Sequence, residues 1–143
     1  MSKLGFLVAV SVVSLGAAVG AWYYKYQLYG WLPSTASSEL KNVDGLLMDK
    51  EGKPFTGRVK DISDSGYSLY AYKDGKLDGL NVVFSEGQLR EIGHWENGEQ
   101  NGLFEAWTDK GVLVDHGIFK DGERDGETVQ YWPDTGKLKV KAQ

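Results

Sequence analysis

Cysteine is absent from the 143 residues of this chain. That excludes disulfides and thiolate-bound metals, and it leaves the redox compartment open. Positive charge is scarce: 16 Lys and Arg stand against 20 Asp and Glu, a net charge of −4. Lys3 and Lys25 are the only charged side chains before residue 39, so the remainder holds 14 basic and 20 acidic groups, a balance of −6. A nucleic-acid binder needs a basic footprint, and that class is excluded. A mildly acidic surface suits solubility or a basic protein partner. Histidine is limited to His94 and His116, which stand 22 residues apart. No third ligand or nucleophile recurs beside them. Both read as structural or surface residues rather than as a base or metal ligands. No Ser–His–acid spacing suggests itself either. The chain does not read as an enzyme, and no catalytic residue, metal or cofactor is expected.

Charge is also missing from the N-terminus. Leu4 to Tyr24 is a run of 21 residues without a charged side chain, broken by Ser11, Ser14, Gly16 and Gly20. About 20 apolar residues span a bilayer as a helix. Trp22, Tyr23, Tyr24, Tyr26, Tyr29 and Trp31 follow, an aromatic belt of the kind that sits at headgroup depth. Residues 1–32 thus read as a membrane anchor, with residues 4–24 as its helix. The rival reading is a cleaved signal peptide, because Val19-Gly20-Ala21 is a passable small-residue cleavage site. The length of the run and the belt beyond that site favour the anchor. Lys3 and Lys25 flank the run and set its orientation only weakly. Residues 33–45, rich in Ser and Thr, read as a polar linker.

Glycine, by contrast, is abundant, with 19 residues, about twice the average usage. The excess lies in a unit that recurs three times: Tyr72-Lys-Asp-Gly75-Lys-Leu-Asp-Gly79, Trp95-Glu-Asn-Gly98-Glu-Gln-Asn-Gly102 and Phe119-Lys-Asp-Gly122-Glu-Arg-Asp-Gly126. Five residues after each second glycine stands another aromatic, Phe84, Trp107 or Tyr131. A third glycine follows at Gly87, Gly111 and Gly136, with Leu89, Leu113 and Leu138 two residues on. The first glycine steps from 75 to 98 to 122, a period of 23 then 24. Gly52 and Gly57 mark a decayed earlier copy. So short a period denotes a repeat array. Asp74-Gly75, Asn97-Gly98 and Asp121-Gly122 are signals for two-residue hairpin turns, whose central positions need positive φ. Glu86-Gly87, Lys110-Gly111 and Thr135-Gly136 supply the opposite turns. Strands are predicted at about 55–62, 67–73, 79–84, 88–96, 102–108, 112–120, 126–132 and 137–141, which makes residues 46–143 an all-β antiparallel meander of hairpins in an open twisted sheet. The aromatics at 72, 95 and 119 fall in one row and those at 84, 107 and 131 in another. Both rows are expected in the core.

The pattern aromatic-x-x-Gly-x-x-x-Gly, led by Gly93-His-Trp95 and Gly117-Ile-Phe119, resembles the MORN repeat (membrane occupation and recognition nexus). With its extra Gly-x-Leu it is similar to the bacterial YwqK-like antitoxin family, over about residues 48–141. Copy one departs from the pattern with Tyr70 where the others have glycine. The resemblance implies an extended sheet of hairpins that binds proteins or lipids without catalysis. In bacteria it implies an antitoxin or immunity partner beside a toxin. With the anchor, the expected location is the inner membrane, single-pass, with the repeat domain in the periplasm.

Candidate contact residues follow from strand alternation. Trp132 is adjacent to Tyr131 and faces the other way, and Phe104 faces away from the row of Trp107. Both are expected as exposed anchors for a protein partner. Asp78, Glu99, Glu123 and Asp125 form an acidic row along one edge, either solvated turns or a docking rim for a basic partner. Asp121-x-Glu123-x-Asp125-Gly126 partly mimics a calcium loop. Its twelfth position is Trp132, which cannot ligate, so it reads as a recurring turn. The leading expectation is an immunity or antitoxin protein that neutralises a toxin or secreted effector, phospholipase-type effectors included. The alternative is a membrane scaffold for envelope proteins or lipids.

Overall fold

The structure is a computed structural model that describes residue 28 and residues 30–142. The expected membrane helix, with Trp22, Tyr23, Tyr24, Tyr26 and Tyr29, lies outside the described residues. Among the described residues no helix is long and apolar enough to cross a membrane. Trp31 is described, and its side chain is 87% exposed. Pro33–Gln143 forms a compact unit of its own.

That unit is built on strands. They are β1 (Thr35–Ala36), β2 (Lys41–Val43), β3 (Leu46–Met48), β4 (Gly57–Ser63), β5 (Gly66–Lys73), β6 (Lys76–Leu77) and β7 (Gly79–Ser85). There follow β8 (Gln88–Glu96), β9 (Glu99–Trp107), β10 (Leu113–Lys120), β11 (Glu123–Tyr131) and β12 (Leu138–Ala142). One 10-stranded sheet runs in the order β1-β4-β5-β7-β8-β9-β10-β11-β12, with β6 also paired to β5. From β4 onward every pairing is antiparallel and joins sequence neighbours, except that β5 pairs with both the short β6 and β7. The sheet is open, since β1 and β12 occupy its two ends. This is the expected meander.

The segment read as a linker is more ordered than its composition suggests. Thr35–Ala36 adds a parallel strand beside Val59 and Lys60. Ser37–Glu39 makes a 3-10 turn, and Ser37 Oγ donates to Asp61 Oδ1 at 2.9 Å. Val43-Asp44-Gly45-Leu46 closes the β2–β3 hairpin, with φ of 52° and 82° at its centre. An Asp-Gly pair signals such a turn here as it does in the repeats.

The first glycine of each unit behaves as its sequence signal requires. φ is 50° and 79° at Asp74-Gly75, 53° and 93° at Asn97-Gly98, and 50° and 81° at Asp121-Gly122. Glu86-Gly87 takes the same form, with 54° and 73°. At Lys110-Gly111 and Thr135-Gly136 only the glycine is positive, and the connections are wider. The second glycine has a different purpose. Each hairpin changes register near it. Leu69 pairs Val82 but Tyr72 pairs Leu77; Gly93 pairs Phe104 but Trp95 pairs Gln100; Gly117 pairs Thr128 but Phe119 pairs Arg124. Extra residues on the returning strand are absorbed as a bulge, and Gly79, Gly102 and Gly126 take φ of 111°, 109° and 79° there.

The repeats are also joined turn to strand. Gly75 N donates to Phe55 O at 2.8 Å, Gly98 N to Leu77 O at 2.8 Å and Gly122 N to Gln100 O at 3.0 Å. Each acceptor lies two residues before the second glycine of the preceding unit. Thr56 Oγ1 accepts from Asp74 N at 2.9 Å and Asp78 Oδ2 from Asn97 N at 3.2 Å, reinforcing two of these joints. The β2–β3 hairpin completes the first joint: Leu47 N donates to Gly75 O and Phe55 N to Leu47 O, both at 2.8 Å.

Alternation assigns the two sheet faces. Leu69, Val82, Ile92, Glu105, His116 and Val129 form one cross-strand row on what we term the back face. Leu69, Val82 and Ile92 are almost fully buried, and Phe84, Leu89 and Val129 are also buried. The front face carries Tyr70, Tyr72, Asn81, Trp95, Phe104 and Phe119. The expectation that both aromatic rows form the core therefore needs correction. Phe84 is core, but the row of Tyr72, Trp95 and Phe119 lies on the opposite face and is half-buried. The reason is parity. Gly79 is a cross-strand partner of Trp95, and Phe84, five residues further along the same strand, points the other way.

Glycine substitutions test the turns. Gly98→Val is expected to cost about 1–3 kcal/mol, because a β-branched residue is forced to positive φ. Gly75→Ala should cost more than Gly122→Ala. A Cβ at Gly75 would sit 3.0 Å from Leu47 O, whereas one at Gly122 meets nothing within 4 Å. Urea denaturation of the three variants checks the ranking, and equal losses for Gly75→Ala and Gly122→Ala would contradict it.

Candidate functional site

The front face sets aromatic rings against polar groups in two clusters; the back face has one such group, Tyr67 stacked on Phe84 with centroids 5.1 Å apart and Lys60 Nζ 4.3 Å from the Tyr67 ring centre. One cross-strand row reads Asn81, Gly93, Phe104, Gly117, Thr128. The neighbouring row reads Val83, Glu91, Ala106, Asp115, Gln130. The two glycines flank Phe104 and leave room for larger neighbours. A Cβ at Gly93 would meet Asn81 Oδ1 at 2.6 Å, and one at Gly117 would meet Arg124 Nη1 at 2.7 Å. This explains the leading glycine of the later copies: it makes space over the sheet for an amide and a guanidinium.

Two polar clusters fix the rings. Trp95 Nε1 donates to Asn81 Oδ1 at 2.8 Å, and Asn81 Nδ2 donates to Glu91 Oε1 at 3.4 Å. Asn81 is 2% exposed, so the indole is held from beneath by a buried amide. A buried amide without such partners is costly. In the second cluster Arg124 Nη2 donates to Asp115 Oδ2 at 2.6 Å and Gln130 Nε2 to the same oxygen at 3.2 Å. The guanidinium carbon of Arg124 lies 4.8 Å from the centre of the Phe119 ring, within cation–π range. Phe104 meets Phe119 edge to face, with centroids 5.9 Å apart. Asp115 Oδ1 is buried with no hydrogen-bond partner.

The sequence-nominated residues are distributed as follows. Phe104 is half-buried at the centre of the front face and packs on Phe119, so it belongs with the first aromatic row rather than apart from it. Trp132 lies just past β11, 50% exposed, with Lys139 Nζ 5.1 Å from its ring centre. Alternation from Tyr131 directs it to the front side as well. Asp78, Glu99, Glu123 and Asp125 lie at one end of the strands, near the hairpin turns. Glu99, Glu123 and Asp125 are exposed. Asp78 is half-buried and is spent on the turn joint described above.

Each histidine has a partner within the sheet. His94 Nδ1 lies 3.1 Å from Leu103 O, and His116 Nδ1 lies 2.9 Å from Glu105 Oε1 on the back face. Among the described residues no group of three His, Asp or Glu is close enough to hold a metal ion. Sequence reasoning missed Asn81, Glu91, Asp115, Arg124 and Gln130. Their signal is weak, because each copy uses different residues at these places: Asn81, Phe104 and Thr128 share one phase of the repeat.

Tyr72 yields a pH prediction. Burial raises its phenol above the ordinary 10.0, and Tyr70 beside it adds to the rise. The folded state then holds this proton more tightly than the unfolded chain. Below about pH 10 the group leaves stability unchanged with pH, and above it stability falls. Urea midpoints at about pH 8 and about pH 11 should drop further for the native chain than for Tyr72→Phe; equal drops would contradict the assignment.

Compared with known proteins, the chain matches no family model, no curated protein and no solved structure.

Proposed function

We propose that this chain is a non-enzymatic binding protein of the immunity or antitoxin type, tethered to the bacterial inner membrane, which neutralises a cognate toxin or secreted effector through its repeat sheet. The observation that carries the reading is the composition of the front face. Tyr72, Trp95, Phe104 and Phe119 are half-buried there, with Trp95 held by the buried Asn81 and Arg124 paired with Asp115, and tightly bound interface residues are drawn largely from Trp, Tyr and Arg. A rigid aromatic surface loses little side-chain entropy on association. The acidic turn residues add a rim that steers a basic partner. The MORN-like repeat pattern supports the same reading, and the apolar run at residues 4–24 supports the tether.

Phospholipase-type and other membrane-active effectors delivered to the periplasm fit a neutraliser anchored at that surface. The acidic rim and the front face then divide the work. Glu99, Glu123 and Asp125 accelerate encounter, and the aromatic face supplies residence time.

The test is co-expression of the chain with the toxin candidate encoded beside it, scored by survival, together with binding of the purified pair. Trp132→Ala and Phe104→Ala should each weaken binding by about 1–2 kcal/mol. Thermal melts of both variants separate lost contact from lost fold. Charge reversal at Glu99, Glu123 and Asp125 should lower the association rate and leave the dissociation rate almost unchanged. If the gene can be deleted while the toxin stays active in the same cells, the immunity reading fails and a membrane scaffold replaces it.

A further inference from the structure

Each of the three repeat copies carries two Asx-Gly pairs, and the middle copy alone fills them with asparagine. The pairs are Asp74-Gly75 and Asp78-Gly79, then Asn97-Gly98 and Asn101-Gly102, then Asp121-Gly122 and Asp125-Gly126. Asparagine before glycine is chemically reactive. The glycine amide nitrogen attacks the side-chain Cγ, and glycine has no Cβ to obstruct the approach. The turns also differ in what they meet. At each joint the residue before the second glycine stands beside the turn of the next unit. Thr56 Oγ1 accepts from Asp74 N, and Asp78 Oδ2 accepts from Asn97 N. Asn101 follows Gln100, whose carbonyl accepts from Gly122 N, next to Asp121. The residues that meet are thus Thr56 with Asp74, Asp78 with Asn97, and Asn101 with Asp121. None of the three joints sets carboxylate against carboxylate.

We infer that Asn97-Gly98 is a self-modification site gated by the joint: Asn97 loses its side-chain amide when the bond from Gly98 N to Leu77 O opens, and the new carboxylate, set against Asp78, keeps the joint weakened. In the first step the bond from Gly98 N to Asn97 Cγ forms and the Cγ–Nδ2 bond breaks. Gly98 N gives up its proton, ammonia leaves, and a succinimide ring closes. In the second step one water opens the ring. Cleavage of the new Cγ–N bond leaves aspartate. Cleavage of the original peptide bond between residues 97 and 98 leaves isoaspartate, whose main chain runs through Cβ and Cγ. One water is consumed, one ammonia is released, and nothing is oxidised or reduced.

The hydrogen bond is the gate because access is not. Asn97 and Gly98 are both exposed, so water reaches them freely. Gly98 N, however, donates to Leu77 O at 2.8 Å, and an amide held in this way gives up its proton when the bond opens, as in hydrogen exchange. Asn97 N is held as well, at 3.2 Å from Asp78 Oδ2. The consequence of the reaction lies in charge. Aspartate suits the turn itself, since Asp74 and Asp121 take φ of 50° where Asn97 takes 53°. Its surroundings oppose it. Asp78 stands at the joint, and Glu96 and Glu99 are opposite one another across the hairpin. Lys76 runs beside Gly98 as a single cation among them. Like charges so placed repel. Isoaspartate adds a methylene to the main chain and misplaces the Gly98 amide. Either product turns a passing separation of the middle units into a lasting one. The inference is independent of what the sheet binds.

The experiment incubates the full chain in mildly alkaline buffer and follows the amide-to-acid mass gain at Asn97 and Asn101 by peptide mapping. A synthetic peptide of residues 93–103 is the reference without a joint. Asn97 in the folded chain should react about tenfold more slowly than in the peptide, or slower still. Asp78→Ala removes the second bond of the joint and should speed the reaction at Asn97 about fivefold. Asn101, within β9 and donating to Glu96 Oε2 at 3.1 Å, should keep its rate in that variant. Separately, Asn97→Asp should lower the urea midpoint, with a smaller loss in high salt, and adding Asp78→Asn should restore it. Four outcomes overturn the inference. These are a folded-chain rate equal to that of the peptide, an Asn97 rate unchanged by Asp78→Ala, an Asn97→Asp midpoint equal to the native one, and an equal acceleration of Asn97 and Asn101 in Asp78→Ala. The last result would assign the gate to unfolding of the whole sheet instead of the joint.

Discussion

Everything in this domain depends on a hydrogen bond that leaves the hairpin turn. A two-stranded hairpin is marginal by itself in water, and a sheet of hairpins needs something to set each against the next. Here the amide of the turn glycine reaches back to a carbonyl in the preceding unit, at Gly75–Phe55, Gly98–Leu77 and Gly122–Gln100. Two properties of the sequence make this bond possible. Positive φ at the Asx-Gly pair tips the amide outward from the turn. The bulge at the second glycine changes the register of the returning strand, so that a carbonyl is presented at the right height. The two glycines of the unit are therefore two halves of one joint. Their spacing is fixed by the joint rather than by the turn alone.

The same bulge decides the character of the two faces. It absorbs residues without reversing the alternation of the strands beyond it, so large aliphatic residues accumulate on the back, in Leu69, Val82 and Ile92, and the first aromatic row accumulates on the front. Burial is greatest on β7 and β8, where both neighbours are long strands. Asn81 and Val82 are consecutive and both buried. One supports the front through Trp95, and the other closes the back. The two polar clusters and most of the aliphatic core thus occupy opposite sides of one layer, with Val59, the partner of Tyr70, the buried aliphatic residue of the front. Asn81, Phe104 and Thr128 stand at a single repeat position and differ from copy to copy.

Much of the fold was legible in the sequence, because turn chemistry is local. The strand expected at 88–96 is β8, and the Asx-Gly hairpins have the signs of φ that their residues require. Other features escaped because they arise from pairing. The strand expected from 102 begins at Glu99, since the bulge lets pairing continue through Gly102 to the turn. Thr35–Ala36 has no strand signature of its own and pairs only because β4 offers an edge. Asp44-Gly45 carried a readable signal that the polar composition around it obscured. In the candidate site, Trp132 was legible from alternation. Phe104 was placed on the correct face, but its contact with Phe119 depends on a cross-strand neighbour. Arg124 and Asp115 gave no signal, because nothing in their spacing shows that Gly117 leaves space between them.

Hydrogen exchange of the turn amides tests the central claim most directly. In an isolated hairpin these groups point into water and exchange quickly. The joint between repeats predicts that the amides of Gly75, Gly98 and Gly122 are protected to an extent approaching that of the paired strands β7 and β8, and lose protection only when neighbouring units separate. Exchange at these three glycines at the rate of an unstructured peptide, with β7 and β8 still protected, would contradict it.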